Sequence, residues 1–440
     1  MITRLVAFVG SVLFVTGGCG GSSGSTPPDG GASDGPAAGD AAGGDGASDR
    51  VTDTVIAERP PSPDLAPVAA GNRYFVYAGG DRGIDILYMD PGTGALTAKS
   101  WIDRNPAAGF VNASFLTVDQ AKKVVYAVSE HQGSVNKIMA YAIDPLTGYL
   151  TLLNDQDTGG EGAVHVALER SGKWAFVANF DSQLVNVFPL MADGKLGASA
   201  GSALTCNNPH GVFPEPSGKG VYVPCLLANM VWQFTFTPQT GKLTPKVPIV
   251  LPEKPGPRHM DISEDGRFAY LVKEVTQTIS VYSIDTNTGL LIEPALQADV
   301  STLPTSVKPD NKALRGRAAA IALHPSLKTL YVTTRLDKGT PDPLNPSQYV
   351  FDQTVLEGYL TTLSVALDGK LTFVASEKVN REPRGMSIDP AGRYLLVSGV
   401  SAETDNLLSF TVDGTSGMLT KASAATVPQH PNIVGIANLQ

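Results

Sequence analysis

The chain has 440 residues, of which 46 are Gly and 32 are Pro, with 42% hydrophobic and 17% charged residues. So much turn-forming residue with so little charge excludes a coiled coil, and the apolar content excludes disorder along the whole chain. A formal net charge of −9 implies no basic surface for nucleic acid, and three Cys are too few for a disulfide framework.

In chain order, residues 1–18 come first. Arg4 precedes the apolar run Leu5 to Val15, and small residues follow. The run is too short to span a bilayer and has the form of a secretory signal. Thr16-Gly17-Gly18-Cys19 is similar to a bacterial lipobox, although Thr replaces the usual Leu. That similarity implies cleavage before Cys19 and a lipid on it, so the protein would be exported and held to a bacterial membrane, facing the periplasm or the cell surface. Residues 19–71 are nearly all Gly, Ala, Ser, Asp, Pro and Thr. Between Gly20 and Leu65 there are eight acidic and two basic residues. Such a segment cannot bury enough surface to offset its ordering entropy, and it reads as a flexible acidic tether.

From residue 72 to 440 the chain is repetitive. A turn of the form Gly-x-Leu occurs seven times, with its Leu at 96, 150, 196, 243, 291, 371 and 419. Between these turns lie pairs of short apolar strands joined by tight turns, such as Met260-Asp261-Ile262, Asp265-Gly266-Arg267 and Phe268-Ala269-Tyr270. Four antiparallel strands per unit of about 45 residues is the propeller period. The predicted fold is therefore all-β, a seven-bladed β-propeller with four-stranded blades. The first unit opens at Arg73 with what reads as a second strand. Its missing first strand is expected from the C-terminal run Ile433 to Ala437, which would close the ring. One long repeat spacing holds an insertion at roughly 336–356.

Propeller topology brings the start of each first strand and the end of each second strand to the same face of the central channel. His210, Arg258, Glu274 and Arg335 fall at such positions in three successive blades, and His165, His259, Arg317 and Arg384 are second members of the same rim. The hairpin turn near Gly266 is expected to set Arg258 opposite Glu274. Cys206 and Cys225 flank the first hairpin of blade four, either as a disulfide or as two buried thiols. No acidic cluster for a metal is evident in the pattern.

These residues carry a resemblance. Gly256-Pro257-Arg258-His259-Met260, Ala269-Tyr270 with Glu274, and Pro383-Arg384-Gly385 resemble the seven-bladed lactonase-like propellers, that is, propeller-type 6-phosphogluconolactonases and carboxy-muconate cyclases. The resemblance spans residues 72–440. It implies a lactonase or a related lactone-forming cyclase with His210, Arg258, Glu274 and Arg335 as catalytic groups. It also implies no cofactor or metal, and a small lactone or anionic carbohydrate-like ligand. Lys273, where Asn is common in the family, and the insertion after Arg335 are departures. The protein is expected to act as a monomer. The alternative reading is a non-catalytic, surface-tethered propeller that binds a ligand or a protein on the same rim.

Overall fold

The computed structural model describes residues 66–440 apart from 70, 106–107, 131–135, 310–313, 327, 342–348, 380–381, 400–405, 429 and 440. The expected signal, Cys19 and all but the end of the expected tether lie outside the described residues. Among the described residues the Val68 N–H donates to the Leu146 carbonyl, slightly before the boundary expected at 72.

The described strands form seven antiparallel sheets, each ordered from its inner to its outer strand. This is the seven-bladed propeller that the repeat predicts. The ring closes as expected. Pro431–Leu439 pairs with Arg73–Gly80, from Arg73 opposite Leu439 to Gly80 opposite Pro431, and becomes the innermost strand of blade one. No helix among the described residues is long and apolar enough to cross a membrane.

The Gly-x-Leu repeat has a physical cause. All seven of its glycines adopt positive φ, from 71° to 84°, a conformation that costs a side-chain-bearing residue energy. Each turn also lies against the preceding blade. Tyr77, Tyr126, Tyr222 and Tyr331, all buried in second strands, donate their hydroxyls to the carbonyls of Gly148, Gly194, Gly289 and Gly417 in the next blade. At Gly241 and Gly369 an aromatic ring of the preceding blade, Trp174 or Phe268, fills the space that a Cβ would need. The repeat therefore marks contacts between blades as well as turns within them. Apolar residues of neighbouring blades share single clusters, such as Tyr222 and Val231 with Leu271 and Tyr282.

Two features depart from a uniform blade. Blade five carries an additional short strand, Val300–Ser301, beside its third strand. In blade six the insertion prolongs the second and third strands, Thr329–Pro341 and Tyr349–Val365, whose pairing continues out to Pro341 opposite Tyr349.

One irregularity recurs where it matters for function. The first strands of blades three, five, six and seven shift register, between Ala163 and His165, Pro257 and Met260, Ala318 and Ile321, and Pro383 and Gly385. A bulge of this kind bends the strand and re-aims its side chains. In blade four regular pairing of the first strand is confined to Phe213–Pro214, with an isolated bridge between Pro209 and Cys225 on the channel side.

Candidate active site

Residues in or just before the first strands of the blades surround one central pocket. Its wall includes Ser114 and Phe115 of blade two, His165 of blade three, His210 and Phe213 of blade four, and Arg258 and His259 of blade five. Ala320 of blade six, Arg384 of blade seven and Asn432 of the closing strand complete the circle. The pocket has a cavity volume of about 120 Å³, small for a ligand site, and widens into an open mouth.

Three of the four residues expected to be catalytic form a buried ionic knot. Arg258 Nε lies 2.9 Å from Glu274 Oε2, and Arg335 Nη2 lies 3.2 Å from Glu274 Oε1, so one carboxylate bridges two arginines. Arg258 Nη1 also donates to the Ala319 carbonyl at 3.0 Å. Its guanidinium is thus anchored from two sides while it faces the pocket. The expected register needs correcting, however. The Glu274 N–H donates to the Gly256 carbonyl, and Pro257 is opposite Lys273. Arg258 meets Glu274 because the bulge carries it round, not because the two are cross-strand neighbours.

Arg258 and His210 line the pocket; Glu274 and Arg335 stand behind Arg258 and are not part of its wall. Of the second members, His165, His259 and Arg384 line the pocket. Arg317 does not. It lies 2.8 Å from Asp337 and 3.3 Å from Glu382. Lys273 also points elsewhere, into an ion pair with Asp299 from the segment before the extra strand of blade five. Its departure from the family pattern therefore leaves the pocket wall untouched. Cys206 and Cys225 are joined as a disulfide with Cα atoms 6.0 Å apart.

Sequence reasoning missed Glu130, Phe115, Phe180 and Phe213 in the wall. A signal for Glu130 existed. It follows Ser114 by the same sixteen residues that separate Arg258 from Glu274, so it ends the second strand of blade two as Glu274 ends that of blade five.

Three imidazoles come together among these rings. His259 lies between His165 and His210, with ring centroids 5.4 and 5.3 Å away. Phe115 packs on His165 at 4.1 Å, and Phe213 does so at 4.7 Å. Burial, reinforced by the Arg258 charge, pushes the His165 pKa down to about 3. His165 Nδ1 accepts a hydrogen bond from the Val212 N–H, as a neutral ring can. Burial likewise holds His259 well below the usual range, helped by Arg258, whose Nη1 lies 3.3 Å from both of its ring nitrogens. At neutral pH the pocket thus holds the neutral imidazoles of His165 and His259 beside fixed guanidinium charges. Among the described residues no three His, Cys, Asp or Glu side chains are placed to hold a metal ion together.

The His165 shift makes a testable statement about stability. Its ring is neutral in the fold down to about pH 3 but titrates near 6.5 when unfolded, so between those values the unfolded chain binds the extra proton. This contribution is present above pH 6.5 and is lost as pH falls towards 3. Urea unfolding at pH 7 and pH 5 should show His165→Gln losing about 2 kcal/mol less than the wild type over that interval. Equal losses in the two proteins would contradict a neutral, buried His165.

Comparison with known proteins adds an independent line. A family model described as "Lactonase, 7-bladed beta-propeller" matches residues 75–436. The 6-phosphogluconolactonase of Formosa agariphila is 25% identical over 374 residues, covering 81% of this chain and 95% of that protein. The 6-phosphogluconolactonase of Serratia proteamaculans is 26% identical over 275 residues, covering 62% of this chain and 74% of that protein. Among solved structures, the periplasmic gluconolactonase of Pseudomonas aeruginosa superposes with a TM-score of 0.68 at 23% identity, over 84% of this chain and 100% of that one. At that identity the likeness supports the fold alone.

Proposed function

The chain belongs to the family of seven-bladed lactonase β-propellers, and on that footing we propose that it hydrolyses a small sugar-acid-type lactone in the central pocket without a metal. The observation that carries this reading is the meeting of an anchored guanidinium, Arg258, with His210 and His259 in one pocket wall. The relatives named 6-phosphogluconolactonase support the reaction class.

In this reading the lactone carbonyl oxygen takes a hydrogen bond from the Arg258 guanidinium. His210 removes a proton from water as that water attacks the carbonyl carbon. Arg258 stabilises the tetrahedral oxyanion, and its charge needs no reorganisation because Glu274 and the Ala319 carbonyl already hold it. The ring C–O bond then breaks, and the proton returns from His210 to the leaving alkoxide. The product is an open-chain hydroxy acid, whose carboxylate matches the Arg258 and Arg384 charges. Glu274 and Arg335 act as positioning residues because they touch Arg258 or its partner and not the pocket.

We also place this activity outside the cytoplasm. The apolar run at Leu5 to Val15, Cys19 in its lipobox-like setting and the acidic segment at 19–71 support export and a lipid anchor, with a tethered propeller acting as a monomer. Cys19→Ser should move the protein from the membrane fraction to the soluble one. A Cys19→Ser protein that stays with the membrane would exclude that anchor.

A pH-stat assay over a panel of sugar and acyl lactones should find turnover above the spontaneous rate. Arg258→Leu should lower kcat/KM by about a hundredfold or more, and His210→Ala by a similar factor. A folded wild type that opens no lactone would favour the non-catalytic binding propeller. Turnover unchanged in both variants would remove these residues from the mechanism.

A further inference from the structure

His210 reaches the pocket wall by a different route from the other polar residues of the rim. His165, Arg258 and Arg384 each lie in the first strand of their blade, Ala163–Leu168, Pro257–Ile262 and Pro383–Ile388. In blade four the first strand is only Phe213–Pro214, so His210 lies outside it, on a segment that leaves the outer strand Gly201–Leu204 of blade three. That segment is tied at its start, where the Thr205 N–H donates to the Gln183 carbonyl. Asn208 takes a φ of 61°, which Asn tolerates, and the chain then meets the end of the second strand, Gly220–Cys225. Asn208, Pro209 and His210 face Leu226, Cys225 and Pro224 in antiparallel order. The Leu226 N–H donates to the Asn208 carbonyl at 2.9 Å, Pro209 bridges Cys225, and the His210 N–H donates to the Pro224 carbonyl at 2.9 Å.

The Cys206–Cys225 disulfide acts at the centre of this clamp. Cys225 is the residue opposite Pro209, and Cys206 stands four residues before His210. One covalent bond therefore fixes the approach of the segment to the strand end whose backbone groups hold Asn208 and His210. Both Cys are buried, in the apolar cluster that also contains Phe176, Val223 and Phe234. Beyond the clamp, the His210 ring packs edge-on against Phe180 at 5.7 Å and His259 at 5.3 Å. A shift of the segment by about an ångström would alter both contacts and the distance from His210 to a bound lactone, and proton transfer tolerates little such error. We propose that the disulfide is the positioning element of His210, taking over in blade four the role that first-strand pairing has for His165, Arg258 and Arg384. The propeller is held by its apolar clusters, which the S–S bond supplements, so loss of the bond leaves the blades folded and displaces His210. The inference rests on the reading of His210 as the group that moves the proton, but its first readout is the imidazole itself.

Two variants test this. Cys206→Ala with Cys225→Ala removes the bond, and Cys206→Ala with Cys225→Val removes it while refilling the fully buried position. Each is compared with the wild type at pH 7 by nitrogen-15 NMR of the histidine rings and by lactone turnover. His210→Gln, His324→Gln and His430→Gln assign the three signals that matter. In both disulfide variants the His210 ring signals should shift or broaden, while those of His324 in blade six and His430 before the closing strand stay in place. In the same variants kcat should fall about tenfold or more, with KM changed less than about twofold. General loosening would instead move all three histidines. Unmoved His210 signals, an unchanged kcat, equal movement of His324 and His430, or failure of both variants to fold would overturn the proposal. If the wild type opens no lactone while the His210 signals still move, the catalytic reading fails and the positioning role stands.

Discussion

An arginine with no exposed surface must find its whole counter-charge inside the protein, and Arg335 is such a residue at 0% exposure. Removing a guanidinium from water is costly unless carboxylates and hydrogen bonds replace the solvent. Here the replacements come from two other blades, Glu274 at the end of the second strand of blade five and Glu382 just before the first strand of blade seven. Blades five, six and seven are thus tied at the channel by electrostatics as well as by apolar packing. Arg258 inherits its position from this arrangement, because the carboxylate that neutralises Arg335 also holds the Arg258 guanidinium at the pocket wall.

The second requirement is a set of basic groups that stay uncharged beside these arginines. Burial among Phe115, Phe213 and the neighbouring rings supplies it for His165 and His259. The Arg258 charge works in the same direction, since a second cation in a place poor in water is disfavoured. One part of the pocket wall is therefore aromatic with neutral imidazoles, and another presents Arg258 and Arg384. That division suits a lactone, whose ring has apolar C–H faces and whose carbonyl gathers negative charge as water attacks.

Much of the fold was legible because it rests on repetition. The Gly-x-Leu turns could be found at seven places since a positive-φ glycine is required wherever the turn abuts the preceding blade. Closure by the C-terminal strand was legible because the first blade begins with a second-strand pattern. The site was legible in part. Arg258, Glu274, Arg335 and His210 could be assigned to one rim from their places in the hairpins, but not to wall or backing. Apolar periodicity does not reveal a register shift, and the shift between Pro257 and Met260 decides which way Arg258 points. Glu382 was invisible for a different reason. It precedes its strand with a φ of 48° and belongs to no repeat, so only its contacts identify it. Glu130 follows Ser114 by the sixteen-residue step that separates Arg258 from Glu274 and was legible in principle.

Family membership and the pocket together make one central claim: the guanidinium of Arg258, held from behind by Glu274, receives the oxygen that becomes negative when a lactone opens. The most direct measurement is a crystal structure of the protein soaked with gluconate, the open-chain acid that a sugar lactone yields. The product carboxylate should be found within hydrogen-bond distance of Arg258, with His210 near enough to share a proton with it. Gluconate seated outside the central pocket, or in the pocket but away from Arg258, would contradict the claim.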